Sequence, residues 1–99
     1  MDTSISSAGK YVFQRNFSVL EAALGVDYVL FHPSTGDYCH INEVGNRIWN
    51  ILAAPKNLDD LVDTLTGTYA IDREPCKADT VPFLNTLEQG SFISVVKSS

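Results

Sequence analysis

The run Gly36-Asp37-Tyr38-Cys39-His40-Ile41-Asn42-Glu43-Val44-Gly45-Asn46-Arg47-Ile48-Trp49 leaves this chain few ways to fold. Pro33-Ser34-Thr35-Gly36-Asp37 is dense in turn formers, residues that supply positive φ or fold their side chains back onto the backbone. Tyr38–Ile41 then reads as a strand returning from that turn. Asn42 is a good helix N-cap and Glu43 a suitable first-turn anion. Val44, Ile48, Ile51 and Leu52 follow at i, i+4, i+7 and i+8, one apolar stripe of a helix. Turn, strand and helix succeed one another with no residue to spare.

Upstream, Tyr28-Val29-Leu30-Phe31 is a β-branched and aromatic run and predicts a strand. Gly25-Val26-Asp27 reads as a turn, and Phe17–Ala23 as a further short strand, although Glu21–Leu24 would tolerate helix. These pieces predict a three-stranded antiparallel meander. Downstream, Ala54-Pro55-Lys56 ends the first helix and Asn57 caps a second, with Asp59 and Asp60 in its first turn. Leu58, Leu61, Val62, Leu65 and Tyr69 give that helix the cleanest amphipathic pattern in the chain. Asp72 can cap a third helix, with Cys76, Thr80, Phe83, Leu84 and Leu87 inward and Gly90 as its stop. Pro82 would lose a hydrogen bond inside that helix and clash with the preceding turn. Either the helix kinks there, the favoured reading, or it begins near Ala78 or Asp79. Phe92, Ile93 and Val95 would fold back as an apolar tail. Residues 1–16 are read as a mobile N-terminal arm that tightens near Tyr11-Val12-Phe13, and residues 17–96 as the single domain. The expected fold is α+β and winged-helix-like, a three-stranded antiparallel meander followed by three helices.

The bulk composition narrows the function. At 99 residues, 44% hydrophobic and 19% charged, the chain can bury one modest core and is not a disordered segment. No apolar run approaches the ~18 residues of a membrane span. The Ser-rich start lacks the apolar stretch of a signal peptide, which predicts a cytoplasmic protein. With 7 basic against 12 acidic residues and a net charge of −5, a surface that displaces phosphate counterions would need severe segregation of charge. The basic residues are scattered instead.

Catalytic and metal signals are weak. Cys39 and Cys76 read as two free thiols in a cytoplasmic chain; a disulfide would require them to be adjacent in space. His32 and His40 flank the hairpin turn, and Cys39 adjoins His40, but neighbouring strand residues point to opposite faces. No four-ligand zinc spacing is present. Asp59, Asp60 and Asp63 read as a capped helix start with a solvated face. The chain is therefore expected to be no enzyme and to hold no metal or cofactor.

The chain resembles the PqqD-like family, the small precursor-peptide recognition elements of ribosomal peptide natural-product pathways. The likeness rests on the Gly36–Trp49 run, on the leucine-rich second helix ending in Tyr69-Ala70-Ile71-Asp72, and on the Phe83-Leu84-x-x-Leu87-x-x-Gly90 close. Within the family it looks most like the free-standing leader-binding proteins of lasso-peptide clusters; Pro82 is the departure. The resemblance implies a protein that binds a precursor's leader as an added strand. It implies delivery of that peptide to a cysteine-protease-like leader peptidase and support of an ATP-dependent macrocyclase. The meander agrees independently, because its open edge offers unpaired N–H and C=O groups to an extended peptide.

The candidate peptide-binding residues are Tyr38, Cys39, His40 and Ile41 on the strand, with Lys77, Val81, Leu84 and Glu88 on the third helix as the groove wall. Val81 is the odd apolar residue on that flank, and Leu84 could equally be plain core. Trp49, off the main stripe of its helix, reads as edge-of-core packing, with a partner surface as the alternative. Gly45 is best explained by close approach of helix and strand. Two other functions stay open: a winged-helix nucleic-acid-binding regulator, which would want a basic recognition helix, and an accessory subunit of a radical enzyme.

Overall fold

A computed structural model describes residues 11–97. The element order is β1 (Tyr11–Arg15), β2 (Leu20–Leu24), β3 (Asp27–His32), β4 (Asp37–Ile41), α1 (Glu43–Ile51), β5 (Lys56–Asn57), α2 (Leu58–Tyr69), α3 (Arg73–Gln89) and β6 (Ile93–Lys97). The expected meander is present as an antiparallel sheet in the order β2-β3-β4. Its register places Leu20 opposite Phe31 and Phe31 opposite Tyr38. Gly25 at φ 67° makes the two-residue turn from β2 to β3. Three helices follow, as the periodicity predicts.

A second sheet, β5-β1-β6, is the main addition. Tyr11–Arg15 lies as its central strand, with Phe13 opposite both Lys56 and Val95. This corrects the expected arm over residues 11–16; its remainder, residues 1–10, falls outside the described residues. Phe13 has no exposed surface, so burial of an aromatic ring holds the strand where local propensity is too weak to announce it. The apolar tail is likewise a strand rather than a loose return, because Ile93–Lys97 pairs along the whole of β1. Arg15 N–H donates to the Leu52 carbonyl at 2.9 Å and Asn16 N–H to that of Phe92 at 2.9 Å, fastening this sheet to the end of α1 and to the α3–β6 turn.

The helix boundaries follow from local chemistry. Asn42 Oδ1 accepts from Gly45 N–H at 2.8 Å, and Asn57 Oδ1 from Asp60 N–H at 2.8 Å, satisfying first-turn donors that have no partner within the helix. Asp72 occupies the third N-cap position but its side chain makes no cap hydrogen bond. Instead Arg73 reaches back to Asp59 at 2.8 Å and to Asp63, tying the start of α3 to α2. The helix α3 is continuous from Arg73, so it does not begin late. Pro82 withholds a hydrogen bond from the Ala78 carbonyl, and Ala78 is exposed, so water can satisfy that carbonyl. The stop falls at Gly90, but its φ is −89° and the left-handed residue is Ser91 at 61°. Gly90 is required for space: a Cβ there would lie 2.5 Å from the Phe92 ring.

The core lies between the two sheets and the helices. Leu30, Leu52, Leu61, Val62, Leu84 and Leu87 are fully buried there. Trp49 is only 2% exposed, with the Arg15 guanidinium 5.5 Å from its ring centroid. Trp49 is therefore core and not a partner surface. Val44 instead leaves the expected stripe and stands 44% exposed, because Gly45, Ile48 and Trp49 form the buried face of α1.

Candidate functional site

Strand β4 hydrogen-bonds to β3 on one side and, among the described residues, to no strand on the other, since it ends the sheet. The loop that aims it is built locally. Gly36 adopts φ 78°, its N–H donates to the His32 carbonyl at 2.8 Å, and Asp37 N–H donates to Thr35 Oγ1 at 3.2 Å. Ser34 N–H approaches Nδ1 of the buried His32 at 3.3 Å, anchoring the loop from below. Along the strand Cys39 and Ile41 turn inward while Tyr38 and His40 stand exposed. Every second residue of such an edge directs its N–H and C=O outward, unpaired. Burial pushes the Cys39 thiol above its usual range, which keeps it protonated and a poor nucleophile.

At its foot β4 runs directly into α1 through the Asn42 cap. Gly45 lets the two meet: a Cβ at this position would lie 3.0 Å from Ile41 Cβ and 3.1 Å from Phe83 Cζ. A hollow of about 360 Å³ opens there, walled by Asn42, Val44, Gly45 and Ile48 on one side and by Asp79, Thr80 and Phe83 of α3 on the other. The unpaired edge thus ends in a partly apolar cavity, a geometry suited to an extended chain with one side chain lodged at its end.

The expected site residues are only partly brought together. Tyr38, Cys39, His40 and Ile41 share the edge strand. Leu84 has no exposed surface, so its side chain belongs to the core and walls no groove. Lys77 and Val81 line a different hollow, of about 440 Å³, with Glu74, Ala78 and Pro82, all from α3; Glu88 is exposed. Positions 81 and 83 are about 200° apart around a helix, so the flank chosen from sequence lies on the far side of the inward stripe from the flank that meets the start of α1. The wall at the foot of β4 is Phe83 with Asp79. Periodicity assigns Phe83 to the inward stripe, and the one sequence hint of its contact with α1 is the glycine at position 45.

The family described as Coenzyme PQQ synthesis protein D (PqqD) matches residues 27–93. The chain belongs to that family. Among solved structures it is similar to TbiB1 in complex with the TbiA(beta) leader peptide. The two share 30% sequence identity over 82% of this chain and 94% of the other, with a TM-score of 0.70. It has the fold of a lasso peptide synthetase B1 complexed with the leader peptide, at 20% identity over 83% of this chain and 96% of the other, with a TM-score of 0.68. No curated protein compared with the chain matches it. Among the described residues no helix is long and apolar enough to cross a membrane, and no group of three or more His, Cys, Asp or Glu side chains is placed to hold a metal ion.

Proposed function

We propose that this chain is a leader-peptide recognition protein of lasso-peptide-type biosynthesis. It binds an extended leader as an additional strand on the outer edge of β4 and presents the precursor to its processing enzymes. The observation that carries this reading is the unpaired edge of β4 ending in the cavity at Phe83. Membership of the PqqD family and 30% identity to a protein seen with its leader peptide support it. Main-chain hydrogen bonds along the edge supply affinity, and pockets for alternate side chains supply selectivity. The role is non-catalytic and cytoplasmic, with a cysteine-protease-like leader peptidase and an ATP-dependent macrocyclase as the partners that receive the peptide. The helix α2 carries no Lys or Arg between Leu58 and Tyr69, so it offers nothing to a phosphate backbone.

The test compares backbone with side chain. Of the adjacent residues Cys39 and His40, one directs its N–H outward and the other toward β3. Proline at the outward position removes an edge donor without touching the meander. One of Cys39→Pro and His40→Pro should stay folded and weaken binding of a fluorescent leader about tenfold, the size of one lost hydrogen bond with its strained neighbours. Alanine at the same position should change binding by much less. If the folded proline variant binds leader as tightly as its alanine counterpart, strand addition at β4 is wrong.

A further inference from the structure

The meander has a second end. Among the described residues β2 pairs with β3 alone, and every residue along it is exposed. Phe17 before the strand, Leu20 and Leu24 within it and Val26 after it are each more than half exposed. Half of the large exposed apolar side chains of the described residues therefore gather at this one edge, across the sheet from β4. Apolar residues scattered singly on a surface need no partner, whereas a contiguous group marks a contact.

The backbone of this edge is equally available. The Gly25–Val26 turn closes on the facing pair Leu24 and Asp27. A two-residue hairpin closes on a hydrogen-bonded pair, and such pairs alternate along the ladder with non-bonded ones. Leu20, Ala22 and Leu24 therefore bond to β3, while Glu21 and Ala23 direct their N–H and C=O groups away from the sheet.

We propose that this chain forms a two-fold dimer in which β2 pairs antiparallel with β2 of a second copy, centred on Ala22. The strand reads Leu-Glu-Ala-Ala-Leu, so it complements itself about that residue. Leu20 faces Leu24 of the second copy, and Ala22 faces Ala22. Glu21 faces Ala23, and their outward N–H and C=O groups bond one another. Val26 at the turn comes beside Phe17 and Ser18 of the other copy. The charges fit this register as well. Each Glu21 carboxylate already accepts from Asn46 of its own α1, and the two carboxylates stand on a diagonal. Centring the pair on Glu21 would set them face to face, which is destabilising. The joined sheet has the order β4-β3-β2-β2-β3-β4, so both β4 edges remain outermost and unpaired. One strand pair is a small contact beside the roughly 800 Å² that each partner gives to a standard interface. The dimer is accordingly weak and concentration-dependent.

Sedimentation velocity of the full chain over a rising concentration series should move from monomer toward dimer. Ala22→Lys sets a lysine against its own copy at the two-fold axis and should stay monomeric over the same series. Ala22 is exposed, so circular dichroism should show the parent's fold. Cross-linking reads the register. Under mild oxidation Ala22→Cys should form an intermolecular disulfide, because Cα atoms of a facing non-bonded pair lie about 4.5 Å apart, within disulfide reach. Leu24→Cys, displaced from its counterpart by about 13 Å along the strand, should cross-link no more than the parent. A parent that sediments as a monomer throughout overturns the dimer, as does Ala22→Lys dimerising like the parent. Equal cross-linking of Ala22→Cys and Leu24→Cys overturns it too, and that comparison stands even if the lysine variant fails to fold. Leader binding is a separate reading: monomeric Ala22→Lys should bind leader as the parent does, so failure of the dimer leaves strand addition at β4 untouched.

Discussion

The two sheets have the same number of strands and opposite constructions. In β5-β1-β6 the central strand carries the fully buried Phe13, and its partners come from the middle and the far end of the chain. In β2-β3-β4 all pairings are between neighbours in sequence, and only the inner face is covered. Leu30, His32 and Ile41 are buried on that face. On the other, Leu20, Phe31 and Tyr38 stand in one cross-strand row, with Leu20 59% and Tyr38 68% exposed. The Phe31 and Tyr38 rings lie 4.9 Å apart between centroids. Every residue of β2 is exposed. One sheet closes the molecule and the other stays open. An unpaired edge is tolerable where the rest of the fold does not depend on that edge for its stability.

Phe13→Ala is the most damaging way to probe this division. Truncating a fully buried aromatic ring removes its transfer energy and leaves a cavity, a loss of about 3–5 kcal/mol. Urea unfolding followed through Trp49, the sole tryptophan, should show that loss. A loss below about 1 kcal/mol would mean that the terminal sheet is not what holds the molecule together.

The open sheet should report on its own occupancy through Cys39. Because burial raises its pKa, the folded protein holds less thiolate than a free cysteine at pH 8, and alkylation should be slower than for a model thiol. The rate should climb as pH rises through the raised pKa, and jump on unfolding. A bound leader should slow it further; a rate indifferent to leader would place the ligand away from β4.

The smallest effect is expected at Leu24, 58% exposed on the outer face of the meander. Leu24→Ser should change stability by less than about 0.5 kcal/mol while lowering any tendency to self-associate, read by light scattering. A larger loss of stability would show that this face is covered in solution.

What the sequence discloses divides along the same line. The meander is legible because its signals are local: turn formers at Pro33–Asp37, an aromatic and β-branched run at Tyr28–Phe31, and an asparagine immediately before each of the first two helices. Asn42 and Asn57 cap as expected. The second sheet is not legible, because Tyr11–Arg15 finds its partners at Lys56–Asn57 and Ile93–Lys97, and nothing within a short window records such a meeting. Half of the candidate site is legible for the same reason. The edge strand is a local object, whereas the choice between the Val81 and Phe83 flanks of α3 depends on where α1 ends up. Asp72 shows the converse: a residue type favoured at N-caps is present, but its side chain is not used that way.

Tyr11 and Lys97 are partners across the β1–β6 ladder, so the described unit starts and finishes at one spot on its surface. Residues opposed in an antiparallel ladder stand about 5 Å apart, little more than one peptide step. The ladder closes the unit into a ring in all but the final covalent link. It could be inserted whole into a surface loop of a host protein, or opened at the exposed Gly25–Val26 turn after joining residues 97 and 11 through a short linker. Neither operation would cut β4 or α1, so the proposed peptide-binding edge could be transplanted as a cassette.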